Sequence, residues 1–177
     1  MKKFSKLAVV LVMMAMVAVF VGCGNGNSDP LSGKTYKLTN LNMSAQGQTA
    51  TYSMSGTTLT MTITTLATQA SVTTTITKNN DNTYTVTSGG TTATVAQLPS
   101  SYSAYLTFDG PMTFNNGVCT STIAGNSQSG TYSINGNSGT ITFENVTQQI
   151  TTSNNWQTFS ISMSNGSISQ TGTYTRQ

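Results

Sequence analysis

Four carboxylates, two thiols and no imidazole bound the chemistry open to this 177-residue chain. Without histidine, neither a histidine-based catalytic triad nor a histidine metal site can form. The acids are Asp29, Asp81, Asp109 and Glu144. General acid–base work by a carboxylate pair needs two of them side by side, and their surroundings argue against it. Asp81 lies in "NNDN" and Asp109 in "FDGP", both turn-forming strings. Asp29 lies in the flexible string "GNGNSDP", and Glu144 follows Phe143, on the outward side by alternation. A single carboxylate gives a cation site little charge, and no phosphate loop or nucleotide fingerprint is present. The chain is expected to be non-enzymatic, with no cofactor and no metal. Cys119, between Val118 and Thr120, is expected to be a small apolar core residue.

The N-terminus carries an address. "MKKFSK" supplies three lysines, and the uncharged run Leu7–Val21 follows, 15 residues long. That is shorter than the ~20 residues a membrane-spanning helix needs. The run ends Phe20-Val21-Gly22-Cys23, which resembles the bacterial lipobox. The resemblance implies cleavage before Cys23 and acylation of its thiol, so that residues 1–22 are a lipoprotein signal peptide. Residues 23–32 would be a flexible tether and 33–177 the folded domain. Each buried methylene contributes roughly 0.8 kcal/mol, so two or three acyl chains hold stably where one does not. The implied location is the cell envelope, lipid-anchored, and the outer membrane where there is one, because Gly24 and not Asp follows the cysteine. With Cys23 acylated, Cys119 has no intrachain partner.

Beyond the leader the charge vanishes. Lys34, Lys37, Lys78 and Arg176 balance the four acids, so the basic pI belongs to the leader and no basic patch recruits nucleic acid. Polarity comes instead from Thr and Ser, alternating with apolar residues. In "TLTMTITT", Leu59, Met61 and Ile63 share one face, and "TITF" and "FSISMS" repeat the pattern with Ile141 and Ile161. "TYSMSGTTLTMTI" (51–63), "TYTVTSGGTTATV" (83–95) and "TYSINGNSGTITF" (131–143) echo one another, each reading as a hairpin about a glycine-bearing turn. No helical apolar stripe stands out. Ten to twelve short strands joined by short loops are expected, and short loops make them an antiparallel meander.

An open sheet of that size would leave an apolar face wet and two edges unpaired. Closure into a soluble all-β barrel resolves both problems, with a two-sheet β-sandwich as the alternative. A membrane-spanning barrel is not expected, since the outward face is Thr and Ser and not an apolar band.

The ends of this domain resemble lipocalin-like domains. "LSGKTYKLTNL" (31–41) is similar to their first strand, with Gly33 in place and Tyr36 one position beyond the usual Trp. "GSISQTGTYTRQ" is similar to their last strand, often ending Tyr-x-Arg. Between them, "AYLTFDGPMTF", "SGTYSINGNSGTITF" and "WQTFSISMSNGSIS" follow the order of a Phe-x-x-Gly hairpin, a Gly-x-Tyr hairpin and two final strands. Alternation puts Ile168, Gln170, Gly172, Tyr174 and Arg176 on one face. The resemblance implies that Arg176 turns inward and stacks on Tyr36 across the barrel end, a cation–π contact worth ~0.5–2 kcal/mol.

A barrel of this kind holds a small apolar ligand if its interior is not filled. The inward residues Tyr52, Met61, Tyr84, Tyr132, Phe143, Phe159, Ile161 and Met163, with Trp156 near the mouth, are the candidate lining. The same residues serve equally as core. The alternative is a non-enzymatic surface or adhesion protein with a filled barrel. The bilayer, through Cys23, is the one partner the sequence implies besides such a ligand. Replacing Cys23 by Ser is expected to move the protein from the membrane to the soluble fraction on cell fractionation; unchanged sedimentation with membranes refutes acylation.

Overall fold

A computed structural model describes residues 29–102, 104–123, 126–144, 146–164 and 167–177. The signal segment and Cys23 lie outside the described residues. Six strands come first: β1 (Lys34–Ala45), β2 (Gln48–Ser55), β3 (Thr58–Thr65), β4 (Ala70–Lys78), β5 (Tyr84–Ser88) and β6 (Thr91–Val95). A short helix α1 (Ala104–Asp109) leads into seven more: β7 (Pro111–Asn115), β8 (Val118–Ile123), β9 (Asn126–Asn135), β10 (Ser138–Phe143), β11 (Val146–Thr151), β12 (Thr158–Ser164) and β13 (Ile168–Arg176). Every described pairing between them is antiparallel between neighbours in one sheet.

The chain is an all-β protein built on a closed barrel. Strands β7 to β13 form a meander, β7 pairs with β1, and β13 pairs back onto β1 to close eight strands. Strands β2 to β6 form a second meander outside the ring, hung from the upper half of β1 through Asn40–Ala45. We call this five-stranded extension the wing. The expected barrel is therefore present, but fewer strands close it than the sequence suggested.

The three sequence echoes are hairpins: β2–β3, β5–β6 and β9–β10. All three turn on two residues with Gly first, Gly56 at φ +57°, Gly89 at φ +56° and Gly136 at φ +60°. A two-residue turn of that hand matches the twist of the flanking strands, and L-side chains rarely adopt it.

Alternation carries the apolar side chains inward. Leu59, Ile141 and Ile161 are 1%, 0% and 7% exposed, as the period-two pattern requires. They do not share a centre. One core fills the barrel around Tyr36, Phe114, Tyr132, Ile141, Trp156 and Phe159. The other lies on the inner face of the wing around Leu41, Tyr52, Leu59, Ile76, Tyr105 and Phe108. Tyr174 packs against both.

The helix corrects one expectation. "AYLTFDGPMTF" was expected to form a hairpin, but its first six residues are α1. The cause is topological: β6 ends at the far edge of the wing, and the chain must return to the barrel to begin β7. It does so over the apolar face of the wing, where Phe108 stacks on Tyr52 and Tyr105 meets Tyr84 edge-on. A helix satisfies its own backbone while crossing that face, which an unpaired strand cannot do. Asp109 ends the helix between Lys37 and Lys78, at 3.2 and 3.8 Å.

The outer face is a hydroxyl lattice. One row of register partners runs from Ser160 on β12 through Thr173, Asn40, Ser53, Thr60, Thr75 and Thr87 to Thr92 on β6. Only Asn40 in that row lacks a hydroxyl. Many partners bond across the ladder, among them Thr58 with Thr77 and Thr87 with Thr92, both at 2.9 Å.

Helix and barrel meet closely at Gly110, where an added Cβ would lie 1.7 Å from the Thr122 carbonyl oxygen. Gly110→Ala is expected to cost about 1–3 kcal/mol in urea unfolding, because α1 must lift from β8. An unchanged midpoint refutes the close approach.

Candidate ligand pocket in the barrel mouth

The two ends of the barrel differ. At the base, where β1 begins and β13 ends, the interior is solid. Phe114 meets Tyr36, Tyr132 and Phe159 edge-on with ring centroids 5.0–5.7 Å apart. Edge-to-face rings at this spacing add to their area burial. The segment before β1 seals them in: Leu31 is fully buried, and Asp29 accepts hydrogen bonds from the Leu31 N–H and the Tyr132 hydroxyl.

Trp156 completes the seal from the β11–β12 loop. Asn155 and Trp156 both take positive φ, +52° and +59°. Such backbone is strained for bulky residues and persists only when its surroundings hold it. Here the Trp156 indole N–H donates to the Gly136 carbonyl at 3.1 Å, and its carbonyl accepts from the Tyr36 hydroxyl. The loop is further tied by Thr152 and Asn154, whose side chains accept from the Trp156 and Thr158 N–H groups.

At the other end the barrel is open. A pocket of about 140 Å³ lies under the mouth, between the upper halves of β1 and β7–β13 with Thr107 of α1 at its rim. Its apolar wall includes Leu38, Leu41, Phe143, Ile161 and Tyr174. Its polar wall holds Ser121 of β8 and three amides, Gln128 on β9, Gln148 on β11 and Gln170 on β13. Gly172 lies next to Gln170 on the inward face, and its missing side chain leaves room there; a Cβ would come within 3.1 Å of Leu38 Cδ1. The Gln148 and Gln170 amides both donate toward the Met163 sulfur, at 3.0 and 3.7 Å. No charged side chain lines the pocket among the described residues.

Of the residues expected to line a ligand, Phe143, Ile161 and Met163 lie on the wall of this pocket. Tyr132, Phe159 and Trp156 belong to the packed base, and Trp156 stands at the end opposite the mouth. Tyr52, Met61 and Tyr84 belong to the core of the wing. The sequence placed Gln170 inward but gave no role to it or to Gln148. The signal was there: in "VTQQIT", Gln148 shares a face with Val146 and the fully buried Ile150, so an amide occupies an inward position.

The Tyr36–Arg176 pair is corrected. The two residues are register partners across β1 and β13, as the ends of the domain implied. Arg176 is nevertheless exposed, while Tyr36 is fully buried with Phe114 and Phe159 against its ring and no cation–π contact among the described residues. Backbone pairing continues to the last turn of the ladder, but the barrel interior ends at Tyr174. The Arg176 N–H is bonded to the Gln157 carbonyl at 2.9 Å.

The carboxylates work separately. Asp81 accepts from the N–H and hydroxyl of Thr83, which holds its pKa below the usual value, and Glu144 is exposed on a turn at φ +53°. No family model, no curated protein and no solved structure matches the chain.

Buried phenols and one buried thiol titrate late. Burial pushes Tyr174 and Cys119 up to about 12, and burial together with Asp29 does the same for Tyr132. Each holds its proton more tightly folded than unfolded, where tyrosine loses it near 10. Stability should therefore be fully present below about pH 9, the unfolded value for the thiol, and fall as pH rises through about 12. Urea midpoints measured from pH 9 to 12 should show that decline, shallower in Tyr132→Phe; a flat profile refutes the burial of these groups.

Proposed function

We propose that this protein is a lipid-anchored, lipocalin-like binding protein of the cell envelope, whose barrel takes up one small uncharged ligand. The observation that carries this reading is the contrast between the two barrel ends: a base packed with aromatic rings and a mouth left hollow over about 140 Å³. A cavity of about 150 Å³ lined by apolar side chains holds a benzene ring, whereas drug-sized ligands need about 300–1,000 Å³. The fitting ligand is therefore ring-sized, and a whole fatty acid chain is too large.

The lipocalin-like assignment is supported by the closed eight-strand barrel together with the resemblance of "LSGKTYKLTNL" and "GTYTRQ" to that family's first and last strands. Anchoring is supported by the lipobox resemblance at Cys23. Asp29, which lies in the sealed base, is six residue steps beyond Cys23. Six extended residues reach about 20 Å, so an anchored barrel rests base-down on the membrane with its mouth turned away, accessible to ligand.

A second reading, a surface or adhesion protein, is favoured by the hydroxyl lattice. An uncharged face of Thr and Ser in register over eight strands offers a regular array of donors and acceptors. Thermal unfolding separates the two. Toluene or indole is expected to raise the melting temperature with increasing concentration, as a ligand of the native state must, and palmitate to leave it unchanged. If no ring-sized probe shifts it, the hollow carries no function and the surface reading takes its place.

A further inference from the structure

We infer that the barrel mouth selects, among small neutral molecules, those that carry a hydrogen-bond acceptor, and that Gln148 and Gln170 are the residues that recognise it. The inference rests on the ligand-binding reading above and adds the chemical class. Inward positions of a barrel strand are normally apolar, yet the pocket lining on alternate strands β9, β11 and β13 holds amides, the exposed Gln128 and the half-buried Gln148 and Gln170. Two of these amides converge on one atom. The Gln148 and Gln170 nitrogens approach the Met163 sulfur from β11 and β13, while Met163 itself lies on β12 between them.

A thioether is a weak acceptor, and an amide N–H is a full donor. Both side chains are half-buried inside the mouth, where the lower polarity strengthens a well-made hydrogen bond. A ligand carbonyl entering the pocket replaces sulfur with an oxygen that can take both donors at once. Met is unbranched and gives way readily. Across the cavity, Phe143, Ile161 and Tyr174 present ring and aliphatic surface to the rest of the molecule.

Charge is excluded by the same lining. No Asp, Glu, Lys or Arg faces the cavity among the described residues. An anionic ligand would leave water without a compensating cation, which costs far more than two neutral amides return. The recognised class is thus a neutral, ring-sized compound with a carbonyl or similar oxygen.

The test uses a matched pair, acetophenone and α-methylstyrene, which differ only in a carbonyl oxygen against a methylene. Benzoate is the charged third probe. Binding to the full chain in detergent is measured by calorimetry, for wild type and for Gln148→Leu with Gln170→Leu. Wild type is expected to favour acetophenone by roughly three- to tenfold, the range of one neutral hydrogen bond, and to bind no benzoate. The double variant should lose or reverse that preference while keeping or improving its affinity for α-methylstyrene, which also shows that it is folded. If wild type binds both neutral probes equally, or the variant weakens both equally, amide recognition is overturned while the pocket stands. If wild type binds neither, the ligand-binding reading itself falls.

Discussion

Strand β1 holds the molecule together by serving three partners. Along one edge it pairs with β13 over nearly its whole length; along the other it pairs first with β7 and then, from Asn40 onward, with β2. The first exchange closes the barrel, and the second starts the wing. A strand has only two edges, so β7 and β2 must divide one between them, and the sheet forks there. The fork is marked by a β-bulge between Leu38 and Asn40 in the pairing with β13. An extra residue in one strand bends it and increases its twist, which is the local change a fork needs. Thr39, at the bulge, is held by bonds from its hydroxyl to the Thr173 carbonyl and to the Thr175 hydroxyl.

The bulge also keeps the core continuous. Tyr36 and Leu38 are buried at even positions, Leu41, Met43 and Ala45 at odd ones. A strict alternation would turn one of these sets to water, since a slip of one residue exchanges the faces of a strand. The bulge absorbs the slip. The result is one strand whose lower half packs the barrel base and whose upper half packs the wing, with Leu38 and Leu41 on the pocket wall between. The mouth is wide because the edge of β1 above Lys37 belongs to β2 and not to β7, leaving a gap that α1 borders.

Much of this was legible in the sequence, and what was not has a physical cause. The hairpins were legible because strand period and turn chemistry are local: "TYSINGNSGTITF" states its own fold. The inward placement of Leu59, Ile141 and Ile161 was legible for the same reason. Closure of the barrel was legible only as a solution to the problem of open edges. Which strands close it was not, because that is decided by the competition of β2 and β7 for one edge. The phase slip in "TYKLTNLNMSA" was its local trace, apolar at 36 and 38 and then at 41 and 43. Residues expected to share one cavity were divided between two cores by that same competition, which is why Tyr52 and Tyr84 lie far in sequence from any lining residue of β7–β13 yet pack under α1. Arg176 was misplaced because parity states a side, not a depth; the barrel interior stops one inward position short of it.

Closure also explains why so little charge suffices. A barrel has no open edge, and within the described sheet only β6 ends a ladder without a further partner. Natural sheets protect such an edge by charge, proline, bulging or brevity. Here brevity serves, since β6 is five residues long with no charged side chain, and the chain turns away from it through Pro99. The remaining surface needs only to stay wet without attracting another sheet face. Threonine does both, because its branched stem favours extended backbone and its hydroxyl remains hydrated or bonds across the ladder. A hydroxyl already paired with its neighbour, as Thr62 is with Thr73 at 3.1 Å, offers less to an incoming strand than a bare backbone edge does. The neutral exterior and the neutral pocket thus follow from one economy of charge: the acids are confined to loops and one helix end, the cations are four residues on β1, β4 and β13, and recognition is left to amides and hydroxyls.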